Sequence, residues 1–320
     1  MFYLIIFVTL FLLELVYFKI ADRYNIIDKP NERSSHTRIT LRGGGVIFFI
    51  SALFYYFESG FEYPWFFLGL TLMTVVSFAD DVMTLSNKIR LLVHFTSVLL
   101  MAYELQIFTF PWYYLLISFI IIVGVINAYN FMDGINGITA GYSLAVGTLL
   151  LIVNRDLEYI DQDFLIYILL GVIVFAFFNF RTKAKCFAGD VGSVSIAFIL
   201  LFALGSLILK TGNFIYILFL TIYGIDSVWT IVRRLLRREN IFEAHRSHLY
   251  QYLGNEAGIN KLLISGLYSV LQLVIGLAVI YITDEVFTNQ LFFSITLLVV
   301  LSILYLIFKT YIINKYVKLN

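Results

Sequence analysis

Cysteine, proline and charge are all scarce in this 320-residue chain, and each shortage excludes something. A single cysteine, Cys186, rules out an internal disulfide and cannot build a thiolate metal site, so it reads as a small apolar loop residue. Three prolines and 13% charged residues stand against 61% hydrophobic ones, and with a mean hydropathy of +0.90 the chain lies far outside the range of soluble domains. A net charge of +1 gives no general pull toward an acidic partner, and no nucleic-acid partner is expected. The expected fold is an all-α, polytopic transmembrane helical bundle, one integral-membrane domain over residues 1–320. No basic residue precedes the run from Phe2 to Phe18 and no small-residue cleavage pattern follows it, so this run is read as a retained first span. Glu14 within it reads as an interfacial or interhelical partner.

What the chain does contain is a series of apolar runs near residues 2–18, 45–57, 65–79, 91–106, 112–127, 138–153, 164–180, 194–209, 213–231, 262–282 and 291–308. Most are long enough to cross a bilayer at about 1.5 Å per residue. The expectation is about eleven spans, the second run being short. With the N-terminus outside, all but two of the 22 Lys and Arg, namely Arg155 and Lys210, fall on one side. Basic residues in short loops are retained in the cytoplasm, so the pattern predicts N-out and C-in.

Four polar clusters then face the cytoplasm: Asp80-Asp81, the stretch from Asn127 to Gly137, Gly189-Asp190-Val191-Gly192-Ser193, and His245-Arg246-Ser247-His248. Such groups are costly in lipid and mark functional sites. Adjacent carboxylates at a low-dielectric boundary cannot both ionise freely unless a cation or metal offsets their repulsion, which suits a general base or a metal-linked group. Asn127, Asn130 and Asp133 recur every three residues, and their oxygens suit a hard cation. At Gly189–Ser193 the backbone N–H groups of a helix N-terminus are expected to face an anion, with Asp190 holding Mg²⁺ beside it. The arginines of the fourth region suit phosphate oxygens. Zinc is disfavoured, because only two His lie close together. Asp226, inside the ninth run, is read either as helix-packing polarity or as an active-site group.

Taken together, these residues resemble the polyprenyl-phosphate N-acetylhexosamine-1-phosphate transferases. The resemblance is carried by Arg33-Ser34-Ser35-His36 and Arg42-Gly43-Gly44-Gly45, Asp80-Asp81 followed by Leu85 and Arg90, the Asn127–Gly137 motif, Gly189-Asp190 with Gly192-Ser193, Asp226 before a double Arg, and the His245-Arg246 loop. It implies transfer of a sugar-1-phosphate from a UDP-sugar to undecaprenyl phosphate, with release of UMP, in the bacterial cytoplasmic (inner) membrane. Mg²⁺, with Mn²⁺ as a substitute, would bridge the pyrophosphate on Asp190 and Asn130. Arg90 would contact the pyrophosphate, Asn136 the uracil, and His245 and Arg246 the sugar. Asp80 or Asp81 would deprotonate or orient the lipid phosphate, with Lys88 guiding its charge. Asp133 counts with the catalytic carboxylates, Asn127 and His248 with the substrate-binding groups. Direct attack and a two-step aspartyl-phosphate route both stay open, as does a homodimer. The motif ends Asp133-Gly-Ile-Asn136-Gly where many bacterial members carry a second Asp. The loop lacks the longer His-rich form of the phospho-N-acetylmuramoyl-pentapeptide transferases. The Arg33-Ser34-Ser35-His36 and Arg42-Gly43-Gly44-Gly45 forms point to the O-antigen and capsule-initiating branch and an N-acetylated amino sugar.

A transporter is the alternative from another class, since intramembrane acids also mark ion pathways. It needs polar groups near the midplane, where Asp226 is the one strong candidate. A prenyl transferase would repeat an Asp-x-x-x-Asp pattern on two helices, and the chain has no such pair.

Overall fold

The computed structural model describes residues 2–30, 35, 38–83, 85–241 and 245–317. Arg33, Ser34 and His36 of the first-loop motif lie outside the described residues. Each of the eleven apolar runs is helical: α1 (Phe2–Arg23), α2 (Val46–Glu58), α3 (Pro64–Val82), α4 (Asn87–Glu104), α5 (Trp112–Met132), α6 (Ile138–Leu157), α7 (Gln162–Asn179), α8 (Gly189–Thr211), α9 (Thr221–Leu236), α11 (Lys261–Ile282) and α12 (Phe287–Ile312), with a single-turn α10 (Leu249–Gln251) between α9 and α11. A 3-10 segment, Phe214–Leu220, leads into α9 and completes that run. Among the described residues, nine helical stretches are long and apolar enough to cross a membrane. The other two fall short for visible reasons. α2 has 13 residues, and α4 carries Lys88, Arg90, His94 and Glu104.

Apolar character on all sides sends a helix to the centre of a bundle. α8 obeys this, with 83% of its most apolar stretch buried, whereas α12, more apolar still, has 6% buried and lies at the rim. What keeps α8 central is its pattern of small and aromatic residues. Gly192 lies so close to Gly45 that a Cβ on either would collide with the other's backbone, the close approach that small residues permit between membrane helices. Farther along, Phe198 and Phe202 stack on Phe66 of α3, the nearer pair with ring centroids 4.0 Å apart. Ser195 and Thr74 share a hydroxyl hydrogen bond of 2.9 Å across the same interface.

Exposed backbone groups at helix ends and breaks are met locally, as a membrane interior requires. Glu104 accepts from the N–H groups of Trp65 and Phe66 at the start of α3. At the 3-10 break before α9, Gln272 of α11 accepts from Ile222 N–H and donates to the Leu218 carbonyl.

One departure from an all-helical chain positions the site. Strands β1 (Ile27–Asp28) and β2 (Thr40–Leu41) pair antiparallel in the first loop. The segment before α8 then joins them: Phe187 N–H donates to Leu41 O, Gly44 N–H to Phe187 O and Gly45 N–H to Ala188 O. Gly43, at φ +80°, makes the turn this ribbon needs. Arg42 is thereby laid against the start of α8.

Candidate active site

The ends of α3, α5 and α8 meet around a cavity of about 300 Å³, lined by Arg42, Asn130, Asp133, Gly134, Asn136, Asn179, Gly189, Asp190, Ser193 and Gln251 among others. Asp190 is its charged centre. One oxygen lies 3.3 Å from Arg42 Nη2 and 3.1 Å from Asn130 Nδ2. The other lies 3.9 Å from Arg90 Nη2. Asn130 also donates to Ser193 Oγ at 3.2 Å.

The Asp80-Asp81 pair is divided between two arginines. Arg42 Nε is 2.6 Å from Asp81 Oδ1, and Arg90 Nη1 is 2.9 Å from Asp80 Oδ2. Asp81, fully buried, also accepts from the backbone N–H groups of Asp190 and Val191 at 2.9 and 3.0 Å. The group that these α8 N-terminal N–H groups face is thus a carboxylate of α3, which caps the helix. Asp80 accepts in addition from Leu85 N–H. Burial opposes the charge on Arg42, but Asp81 and Asp190 outweigh it and hold its guanidinium above the ordinary value.

Asp133, just past the end of α5, accepts from the Thr139 hydroxyl at 2.6 Å. Burial pushes its carboxyl up to about 7, with Thr139 opposing and Asp190 and Asp81 adding repulsion. A carboxyl at that value changes protonation near neutrality. Asn136 lines the same cavity, with its amide donating to the carbonyls of Arg181 and Thr182.

The remaining expected site residues stand apart from this cavity. Lys88 is exposed at the start of α4. Asn127 is exposed and donates to Val123 O of its own helix. Arg246 pairs with Glu256 at 3.0 Å. His245 shares a bond with Ser247 Oγ, and burial followed by the nearby His248 lowers its imidazole to about 4. His248 is buried and turned to Asp226, Nδ1 to Oδ1 3.3 Å. The cavity is reached from this loop by Gln251 instead.

Arg42 is the residue that motif reading undervalued, since its partners lie 39 and 148 residues away. The signal was an arginine followed by three glycines, a combination suited to close backbone approach. Glu14 and Cys186 are also linked, Sγ to Oε1 3.6 Å, both fully buried beneath the first-loop ribbon.

Among the described residues no three His, Cys, Asp or Glu side chains form a ready metal cage. The donors facing the cavity are nonetheless oxygens: Asp190, Asp133, the Asn130 amide and Ser193. This chemistry fits a hard cation such as Mg²⁺, which is commonly held by one or two carboxylates and completed by water and substrate phosphates.

The site-bearing helices are similar to those of known proteins. Residues 63–209, from the start of α3 nearly to the end of α8, match the model of glycosyl transferase family 4. That stretch of the chain is similar to the family, and Asp80, Asp81, Asn130, Asp133 and Asp190 lie within it. This transferase is 29% identical over 268 residues to the undecaprenyl-phosphate α-N-acetylglucosaminyl 1-phosphate transferase of Thermotoga maritima, covering 81% of this chain and 83% of that one. It is 25% identical over 256 residues to a probable undecaprenyl-phosphate N-acetylglucosaminyl 1-phosphate transferase of Bacillus subtilis, covering 73% and 71%. A phospho-N-acetylmuramoyl-pentapeptide-transferase of Thermotoga maritima is 26% identical over 210 residues, covering 58% and 68%.

Proposed function

We propose that this transferase moves an N-acetylhexosamine-1-phosphate from a UDP-sugar to undecaprenyl phosphate, releasing UMP, at the cytoplasmic face of the bacterial inner membrane. The observation that carries the reading is the cavity lined by Arg42, Asp190, Asn130, Ser193 and Asp133, with Arg90 3.9 Å from Asp190 behind it. Fixed cations beside oxygen donors match a diphosphate and its counter-ion better than a neutral substrate. The named activities of the relatives support the same reaction. The distribution of Lys and Arg supports the N-out, C-in orientation. The chain then makes eleven crossings, with α2 and α4 as the short and polar ones.

In the reaction a lipid phosphate oxygen bonds to the sugar-linked phosphorus as the bond from that phosphorus to the UMP oxygen breaks. Asp81 has both oxygens engaged by backbone N–H groups and Arg42, so it holds Arg42 and the α8 terminus in place. Asp80 does the same for Arg90 and the turn at Leu85. Asp133, near 7 and at the cavity wall, is the carboxyl best placed to take the acceptor's proton. Asp190 and Asn130 would hold Mg²⁺, which supplies charge neutralisation of the diphosphate. Arg42 and Arg90 stabilise charge on the transferring phosphoryl group. An N-acetylated amino sugar and initiation of a lipid-linked surface polysaccharide such as O-antigen complete the proposal.

A carrier would need an acid open to the midplane. Asp226 is 1% exposed and surrounded by hydrogen-bond donors, which favours the transferase. The deciding assay incubates purified protein with undecaprenyl phosphate and a panel of UDP-sugars. UMP release that requires both an N-acetylhexosamine donor and the lipid is expected; no release with any donor would overturn the reading. A cysteine introduced at Asn255 should be labelled by an impermeant reagent only after cells are permeabilised.

A further inference from the structure

α12 carries two polar residues that the transfer scheme does not use. The helix lies at the rim of the bundle, yet Tyr305 and Lys309, one turn apart, are buried on it. Both are directed at Asp226 of α9. Asp226 accepts from Tyr305 Oη at 2.8 Å, from Tyr268 Oη of α11 at 2.8 Å and from Leu249 N–H at 3.0 Å. Lys309 Nζ donates to Tyr305 Oη at 2.6 Å and to Thr230 Oγ1 at 2.8 Å, and Thr230 donates to Asp226 at 3.3 Å. Cation and anion are thus joined through two hydroxyls.

Apolar residues would anchor α12 without the desolvation cost of two buried charges. The placement of Asp226 supplies another reason for them. Its oxygens hold His248 Nδ1 and the backbone of Leu249, the first residues after the α9 loop. Two residues on, Gln251 lines the cavity and accepts from His248 N–H at 3.1 Å. Between them, Tyr250 donates to Phe131 O at 2.9 Å and packs so tightly on Gly134 that a Cβ there would collide with its hydroxyl. Gly134 is itself a cavity wall beside Asp133.

We propose that Asp226, Tyr305 and Lys309 are positioning residues for the transfer: they hold residues 248–251 against the Phe131–Gly134 segment and so set the cavity wall formed by Gln251 and Gly134. The last helix therefore shapes the site from a distance. The kinetic part of this inference rests on the proposed transfer reaction, and the structural part does not.

The test uses full-length Tyr305→Phe and Lys309→Met in detergent or nanodiscs, with two readouts. Amide hydrogen exchange over residues 245–252 should quicken about tenfold while exchange in α3 and α8 stays unchanged. The KM for UDP-N-acetylglucosamine should rise about five- to tenfold with kcat within about twofold, a split that general destabilisation does not produce. If Lys309→Met fails to insert, Tyr305→Phe, which removes one hydroxyl and keeps the ring, decides. Unchanged exchange in folded Tyr305→Phe overturns the proposal, and so does faster exchange with an unchanged KM. A wild-type protein that transfers no sugar phosphate would strike the proposed function, leaving the exchange readout to judge the positioning.

Discussion

Carboxylates gather at both ends of the bundle, and they are held in opposite ways. At the ends of α3 and α8, Asp80, Asp81 and Asp190 each contact an arginine. At the other ends of the helices, Glu62 and Asp161 share the hydroxyl of Tyr55, and Asp163 accepts from Tyr3. Neutral hydroxyls hold the acids there without compensating their charge, so that surface repels anions. Arginine keeps its charge at any physiological pH, so the first end keeps beside its acids fixed cations that the proposed reaction would offer to a phosphate. Acid content alone therefore does not mark the site. The pairing of acids with arginine across distant helices does.

The widest gap between the two ends should come from removing one acid at each. Asp190→Ala is expected to lower sugar-phosphate transfer about 10³-fold while the protein still inserts, and Asp163→Ala should stay within about twofold. Equal losses in a transfer assay would break the comparison. Chelation sharpens it: EDTA should abolish transfer, and Mg²⁺ or Mn²⁺ should restore it in wild type.

Next in size is Asp133→Asn, with an expected loss of about 10² at pH 8. A base near 7 must be ionised to act, so the wild-type rate should rise through pH 7 and level off above it. The variant should lack that rise. For stability the sign is reversed: a carboxyl that titrates higher in the folded chain than its ordinary 3.8 favours folding most at low pH, and this contribution declines from about pH 4 to pH 7. Thermal melts of wild type and variant should converge toward the acid end.

Arg42→Lys keeps one charge but cannot reach Asp81 and Asp190 together as the guanidinium fork does, so about a tenfold loss in kcat/KM is expected. Smallest of all, Asn127→Ala should change activity by less than about twofold, because the side chain bonds its own helix. A large loss there would extend the site beyond the cavity.

The helices themselves were legible, since length and hydropathy report what a bilayer demands of a segment. Legible too were Asp80-Asp81, Asn130, Asp133, Asn136 and Asp190, because polar groups at the ends of apolar runs stand out against their surroundings. Their division of labour was not. Adjacent in sequence, Asp80 and Asp81 point to different arginines. Asn127 and Asn130 share a motif, yet the one is exposed and the other lines the cavity. At three residues apart on a helix they face nearly the same way, so the packing of α8 beside Asn130 made the difference.

By itself the sequence determined that the chain is a bundle of apolar helices with polar clusters at their ends, because the cost of placing backbone and charge in lipid acts on each segment separately. Only the tertiary structure decided that Arg42 joins Asp81 to Asp190, that Asp81 caps α8, and that Asp226 is gripped by the last helix. Those contacts depend on how helices far apart in the chain are laid side by side, and no local cost encodes that arrangement.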